Sequence, residues 1–254
     1  ANANNNWKQT GGFVDNETAN KNRTLYSSTA ITVTAKVTVT GETEPTDPDL
    51  LADFTFENAG EPFDGGNATG ATQGTATLAD GKDGKAAKLS KNFWLNVTAK
   101  NGDALLKGKN DVTISYDVKP DASGNTGWTF FAASNATKQE YGQEHYVGVL
   151  DKTTGITVER YNNNDGKRDS SGNVSYTKTN ADWKHVDIVI SGATAKLYID
   201  SKLVAVNNNG QKLTDILGAD GGVLQIGKAN WVNGEYYTGA LDNLKIYGSA
   251  HTAD

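Results

Sequence analysis

The feature that most constrains the fold of this chain is a series of short β-type segments between residues 50 and 248. These segments alternate apolar or β-branched residues with polar ones, and clusters of Gly, Asn and Asp separate them, which is the pattern of half-buried strands. Long amphipathic helical periods are missing from the pattern, and only Leu213–Leu217 is predicted as a helical turn. About a dozen such strands predict an all-β, two-sheet antiparallel sandwich.

The composition changes near residue 45. Ala30–Val39 alternates as a strand does, and residues 41–49 combine acidic side chains with Pro45 and Pro48, which predicts an extended linker. Because residues 1–40 are too few and too polar to bury a core, we interpret them as the tail of an upstream β domain or as a docked N-terminal extension. The sandwich then covers residues 50–248, and residues 249–254 form a tail.

Charge and composition exclude several classes of function. The 24 Lys and Arg against 30 Asp and Glu give a net charge of −6, which does not suit binding to nucleic acid or anionic lipid. No apolar run approaches the roughly 18 residues that span a bilayer, so no membrane insertion is expected. The absence of cysteine excludes disulfides, thiolate metal sites and cysteine nucleophiles. The Asn-, Thr- and Gly-rich, methionine-free composition favours a processed, secreted or cell-surface bacterial protein, monomeric within a longer multidomain chain.

Three stretches carry a family resemblance. They are LADFTFE at 51–57 with GKDGKAAKL at 81–89, then DWKHVDI to KLYIDSKLV across 182–204, then LQIG at 224–227 with YTGALDNLKIY at 237–247. In this order they resemble the laminin-G-like jelly roll of the concanavalin A-like lectin/glucanase superfamily. The resemblance implies a jelly-roll sandwich and a carbohydrate-binding or adhesive function. Ser201 departs from the family pattern, which usually has Gly there, so the hairpin turn requires either a positive φ at Ser201 or a loop that is one residue longer.

The resemblance also implies one structural calcium ion between the first and last strands. Glu57 ends the opening strand and Asp242 lies in the closing strand, while the loop at 81–85 offers backbone carbonyls. Calcium takes six to eight oxygen ligands of these kinds. We therefore expect Glu57 and Asp242 as its carboxylate ligands, with the ion stabilising the sandwich and taking no part in a reaction.

Aromatic residues in polar loops are candidate sugar contacts, since indole and phenol rings stack on sugar C–H faces while amides bond the hydroxyls. Trp231 lies in such a loop and is predicted as the principal contact, whereas Trp94, Trp128 and His185 are interpreted as packing residues. The remaining predicted sugar-binding residues are Tyr161, Tyr141, Asn163 and Asn233.

Catalytic carboxylates are not indicated. Asp53 and Glu57 share a strand face but would lie about 13 Å apart, wider than a glycosidase pair requires. The favoured interpretation is a non-catalytic, glycan-binding or adhesive module, accessory to a glycan-degrading enzyme. Two alternatives remain: the jelly roll completes the catalytic unit of a glycoside hydrolase, or it is a ligand-free spacer domain.

Overall fold

A computed structural model gives the structure of residues 47–59, 63–122, 127–134, 145–162, 170–231 and 234–251. The chain divides into two units, residues 1–44 and residues 45–254, and every described residue belongs to the second. The predicted strand Ala30–Val39 and residues 41–46 of the predicted linker lie outside the described residues. None of the described segments forms a helix long and apolar enough to cross a membrane.

Strands dominate the described residues, as the sequence predicts, and one short helix, α1 (Leu213–Leu217), lies between β14 and β15. In chain order the strands are β1 (Leu50–Phe54), β2 (Phe63–Gly65), β3 (Ala68–Gly74), β4 (Leu78–Asp80), β5 (Lys85–Leu89), β6 (Phe93–Ala99), β7 (Asp111–Pro120), β8 (Gly127–Ala133), β9 (His145–Lys152), β10 (Gly155–Asn162), β11 (Val174–Thr177), β12 (Lys184–Ser191), β13 (Thr194–Ile199), β14 (Lys202–Asn207), β15 (Val223–Ile226) and β16 (Gly239–Tyr247).

These strands form two antiparallel sheets of eight. Sheet A has the order β14-β13-β12-β7-β16-β5-β4, with β1 also pairing with β16. Sheet B has the order β11-β10-β9-β8-β15-β6-β3-β2. Some neighbours are consecutive in the chain, as β12 and β13 are, whereas others, such as β7 and β16 or β6 and β15, come from distant parts of it because the chain crosses between the sheets. The predicted all-β, two-sheet antiparallel jelly-roll sandwich is confirmed.

The core lies between the two sheets and follows from the alternation of side chains along each strand. In β12 the side chains of Val186, Ile188 and Ile190 are fully buried in this core, while His185 and Asp187 lie on the opposite face of sheet A. Full burial of each such aliphatic side chain contributes about 1.5–3 kcal/mol to folding. The period-2 pattern of the sequence therefore sets which face of each strand points inward.

The hairpin between β13 and β14 has the turn that the sequence requires. Ile199 pairs with Lys202, which leaves Asp200 and Ser201 as a two-residue loop. Their φ angles are +48° and +63°, so both residues occupy the left-handed region, as the central residues of a type I′ turn do. The serine is therefore accommodated without a longer loop.

Four strands have no counterpart in the sequence-based prediction, namely β2, β3, β4 and β11. β3 is built from small and polar residues, ATGATQG, and its position comes from pairing with β6 along its whole length. A Cβ atom at Gly70 would lie 3.4 Å from side-chain atoms of both Phe54 and Leu95. The small residues of β3 thus fit the core by leaving room for larger neighbours, a property that strand propensity does not capture.

Candidate functional site

A second group of buried aromatic side chains lies on the outer face of sheet B, which is the face turned away from sheet A. In β9, Val147 and Val149 belong to the core between the sheets, whereas Tyr146 lies on this outer face. We call the group the aromatic cluster; its members are Trp128, Phe131, Tyr146, Tyr161 and Trp231. Such a cluster gives the outer face of sheet B an apolar centre that most solvent-facing sheet surfaces lack.

Ring contacts hold the aromatic cluster together. Phe131 and Tyr146 stack with centroids 4.8 Å apart, and Trp128 meets both rings edge-on at 5.1 and 5.6 Å. The Trp231 ring is T-shaped to Phe131 and Tyr146, at 5.2 Å from each. Such geometries contribute about 0.5–1.5 kcal/mol per pair beyond the buried area. The half-buried Trp231 therefore packs on the sheet, a contact that its polar loop did not suggest.

One carboxylate orients two indoles of the aromatic cluster. Oε2 of Glu235 accepts hydrogen bonds from Nε1 of Trp128 at 2.6 Å and from Nε1 of Trp231 at 3.1 Å. Tyr236, the next residue, forms isolated β-bridges with Trp128 and Lys228. Together these bonds fix the segment that precedes β16 against the outer face of sheet B.

A polar strip, formed by Gln225 and Asn96, lies beside the aromatic cluster on the same face. Gln225 of β15 is flanked by Asn96 of β6 and Phe131 of β8, its register partners on either side. Its Nε2 donates a hydrogen bond to Oδ1 of Asn96 at 3.2 Å. The Gln225 side chain is 5% exposed, and its Oε1 has no hydrogen-bond partner within the described part of the chain. An unpaired buried acceptor costs about 1–3 kcal/mol, and a ligand donor would recover that free energy only if the Gln225 side chain moved to expose the oxygen.

Two further aromatic rings border the polar strip. Trp94 precedes Asn96 by two residues in β6 and shares its face, and the Trp94 side chain is only partly buried. The ammonium of Lys228 lies 4.5 Å from the Trp94 ring centroid and 5.9 Å from that of Tyr236. The outer face of sheet B thus presents rings, amides and one cation side by side.

The sequence-predicted sugar contacts divide into two sets. Trp231 and Tyr161 lie in the aromatic cluster, where Tyr161 is 5% exposed and its hydroxyl accepts a hydrogen bond from Nδ2 of Asn173 at 3.0 Å. Tyr141, Asn163 and Asn233 lie outside the described residues.

Sequence reasoning missed Trp94, Asn96 and Gln225 as candidate contacts. Trp94 and Asn96 alternate with Phe93, Leu95 and Val97, which are buried in the core. That alternation was the available signal, because it places Trp94 on the outer face of sheet B and not in the core between the sheets.

Glu57 and Asp242, the predicted calcium ligands, both accept hydrogen bonds from the loop at 81–85. Along one edge of β16, β5 pairs up to Leu241 and β1 pairs from Leu244, so Asp242 lies where the partners change. Oδ2 of Asp242 accepts a hydrogen bond from the backbone N–H of Lys82 at 3.3 Å. Oε2 of Glu57 accepts one from the backbone N–H of Lys85 at 3.1 Å.

Two glycines allow both carboxylates to approach this loop. A Cβ atom at Gly81 would lie 2.6 Å from Oδ2 of Asp242, and one at Gly84 would lie 2.4 Å from Oε2 of Glu57. Both distances are shorter than van der Waals contact allows. The GKDG sequence at 81–84 therefore forms a cradle for the two carboxylates.

The Asp242 carboxylate of this cradle is fully buried. Burial raises the pKa of Asp242 to about 6, and the negative charges of Asp117 and Glu57 add to the effect. The described residues contain no group of three or more His, Asp or Glu side chains arranged to hold a metal. A calcium ion would accordingly combine the Glu57 and Asp242 carboxylates with backbone carbonyls of the 81–85 loop, a donor set that calcium accepts.

His185 forms a cross-link on the outer face of sheet A. Its Nδ1 lies 3.1 Å from Oδ1 of Asp117 and its Nε2 lies 3.2 Å from Oδ1 of Asp187. Hydrogen bonds to these two carboxylates raise the pKa of His185 to about 9, so the imidazolium donates to both at neutral pH. Nothing in this arrangement leaves a ring nitrogen available to a substrate.

The geometry can now be compared with known proteins. Residues 96–254 match the Laminin_G_3 family model, described as the concanavalin A-like lectin/glucanases superfamily. A curated relative, an alpha-L-arabinofuranosidase of Bifidobacterium longum subsp. longum, is 28% identical over 234 residues. The match covers 86% of this chain and 21% of the relative, so the chain spans about a fifth of that protein.

Two solved structures share the fold. One is domain 4 of AbnA, a GH43 extracellular arabinanase from Geobacillus stearothermophilus, in complex with arabinotriose; it has a TM-score of 0.56 and 21% identity, over 81% of this chain and 95% of that one. The other is the binding domain of botulinum neurotoxin DC in complex with rat synaptotagmin II. It has a TM-score of 0.57 and 11% identity, and the match covers 80% of this chain and 49% of that one.

Proposed function

Since the chain belongs to the Laminin_G_3 family of the concanavalin A-like lectin/glucanases superfamily, we propose that it is a non-catalytic carbohydrate-binding module. Its binding surface is the outer face of sheet B. The observation that carries this proposal is the partly exposed ring of Trp94 on the same face as the hydrogen-bonded amides of Asn96 and Gln225. A sugar suits such a face, because it offers an apolar C–H face to the ring and hydroxyls to the amides.

The ligand class follows from the relatives. The curated relative is an alpha-L-arabinofuranosidase, and the arabinanase domain was solved with arabinotriose. We infer an arabinose-containing oligosaccharide or polysaccharide as the ligand, and a larger extracellular glycoside hydrolase as the parent protein. In that setting the module anchors the parent enzyme to its polymeric substrate.

A catalytic role is the main rival. Asp117 and Asp242 are register partners across β7 and β16, so two carboxylates do lie together on sheet A. Asp242 is fully buried and Asp117 is 6% exposed. Asp117 is paired with Lys82 at 2.9 Å and with His185 at 3.1 Å, and both carboxylate oxygens of Asp242 accept backbone hydrogen bonds. Since a glycosidase acid must be available to the glycosidic oxygen, these contacts favour binding over hydrolysis for the described part of the chain.

Calorimetric titration with arabinotriose, combined with an assay for released arabinose, tests the proposal. We expect heat of binding without hydrolysis. Release of arabinose would support the catalytic rival, and the absence of binding to arabinotriose and to a panel of other glycans would support a ligand-free spacer domain.

We also propose one structural calcium ion at Glu57 and Asp242. The support is the cradle that both carboxylates share and the raised pKa of Asp242, since a bound dication would offset the repulsion between neighbouring acids. The ion would hold β1 and the 81–85 loop against β16.

Calcium at a hundred times its Kd is expected to raise the free energy of unfolding by about 2.7 kcal/mol, because it binds the folded state alone. Thermal melts with calcium and with a chelator measure this stabilisation. The Glu57→Gln, Asp242→Asn double variant should lose the difference in melting temperature between the two conditions. The Asp80→Asn, Asp103→Asn double variant, at two exposed carboxylates, serves as a control of equal charge change and should keep the difference. Coincident melting curves of the parent protein with calcium and with chelator would exclude the ion.

A further inference from the structure

The ammonium of Lys228 has no acidic partner within the described part of the chain. Its neighbours there are the rings of Trp94 and Tyr236, at 4.5 and 5.9 Å from their centroids. The fully buried Lys178, in contrast, is paired with Asp151. Lys228 is therefore a cation on the proposed sugar-binding face whose charge is not neutralised locally.

Its surroundings make this charge costly. Lys228 is half-buried, and burial lowers its pKa. A partly desolvated ammonium is stabilised by ring faces to a limited extent, by about 0.5–2 kcal/mol. A carboxylate would stabilise it more, because the Coulomb interaction is less screened where water is partly excluded.

The polar strip gives this cation a place in a binding site. Lys228 follows Gln225 by three residues, and the Gln225 side chain is hydrogen-bonded to Asn96 of β6. Asn96 and Trp94 share one face of β6, and the Trp94 ring lies beneath the Lys228 ammonium. The amide of Asn96 and the ring of Trp94 are both partly exposed. An amide, a ring and a cation therefore lie together on this face.

We propose that the glycan recognised at this face carries a carboxylate, as a uronic acid residue does, and that Lys228 pairs with that carboxylate. The inference rests on the proposed carbohydrate-binding function and adds the charge of the ligand to it. In this arrangement the partly exposed amide of Asn96 bonds a hydroxyl of the same sugar or its neighbour, and Trp94 supports the ring.

The test compares an oligosaccharide that ends in glucuronic acid with its methyl ester, in which one methyl group replaces the negative charge. We expect the parent protein to bind the acid about fivefold more tightly than the ester, the upper range for a partly exposed ion pair. Raising the ionic strength from about 0.01 M to about 0.1 M should reduce this preference, since the screening length falls from about 30 Å to about 10 Å.

Three variants complete the experiment. Lys228→Met keeps the aliphatic stem on Trp94 and should bind acid and ester equally, whereas Lys228→Arg should retain the preference. Lys202→Met changes the net charge equally at the exposed edge strand β14 and should behave as the parent does. Equal binding of acid and ester by the parent, or a preference that persists in Lys228→Met, would overturn the inference.

Arabinotriose separates this inference from the proposed function. If arabinotriose binds and the acid is not preferred over its ester, the charge inference alone is wrong. If arabinotriose, acid and ester all fail to bind, the proposed function is wrong and the inference falls with it.

Discussion

Replacing Trp128 by alanine is expected to lower the free energy of unfolding by about 3–5 kcal/mol, the usual cost of deleting a buried Trp side chain. Trp128 is 2% exposed and contacts three aromatic rings, namely Phe131, Tyr146 and Trp231. Its truncation also removes one of the two indole N–H groups that donate a hydrogen bond to Glu235. Urea denaturation of parent and variant gives the difference.

Trp128→Phe is the matched control for this experiment. It keeps a ring in the aromatic cluster and loses only the Nε1 bond and part of the contact area, so we expect less than half of the alanine effect. A Trp128→Ala protein as stable as its parent would show that the aromatic cluster is not a packed part of the fold.

Trp94→Ala is expected to weaken the binding of arabinotriose about tenfold. Stacking an indole face on a sugar ring contributes about 1–2 kcal/mol from buried area and ring contact together, and about 1.4 kcal/mol corresponds to tenfold in Kd. Because Trp94 is only partly buried on the outer face of sheet B, we expect the urea midpoint to change little. Calorimetric titration measures the affinity of each protein.

Trp183→Ala provides the contrast. Trp183 immediately precedes β12, a strand of sheet A, and is likewise partly buried. Its truncation should leave the affinity for arabinotriose unchanged. If Trp94→Ala binds as tightly as the parent, the ring of Trp94 is not part of the binding surface.

Much of the fold follows from sequence patterns because burial repeats along each strand. Val186, Ile188 and Ile190 indicate an inward face directly, and the Asp200–Ser201 turn follows from the two strands on either side of it. β3 could not be predicted in this way. Its residues are small and form a strand because β6 pairs with them and Gly70 leaves room for Phe54.

The candidate site was less predictable because it depends on which strands become neighbours. Gln225 and Asn96 are 129 positions apart in the chain, and only the pairing of β15 with β6 joins them. Sequence reasoning favoured loops, where Trp231 has polar neighbours, and the structure shows that Trp231 reaches back onto the sheet. In contrast, the closeness of Glu57 and Asp242 to the pairing of the first and last strands was predictable from the resemblance, although β1 ends at Phe54 and Glu57 follows the strand instead of ending it.

Nuclear magnetic resonance during the arabinotriose titration tests most directly whether the outer face of sheet B binds the sugar. We predict that the largest shifts affect the side-chain amides of Gln225 and Asn96 and the indole N–H of Trp94. The 81–85 loop on sheet A should change little. Shifts confined to sheet A, with the resonances of Gln225, Asn96 and Trp94 unmoved at saturation, would contradict the account.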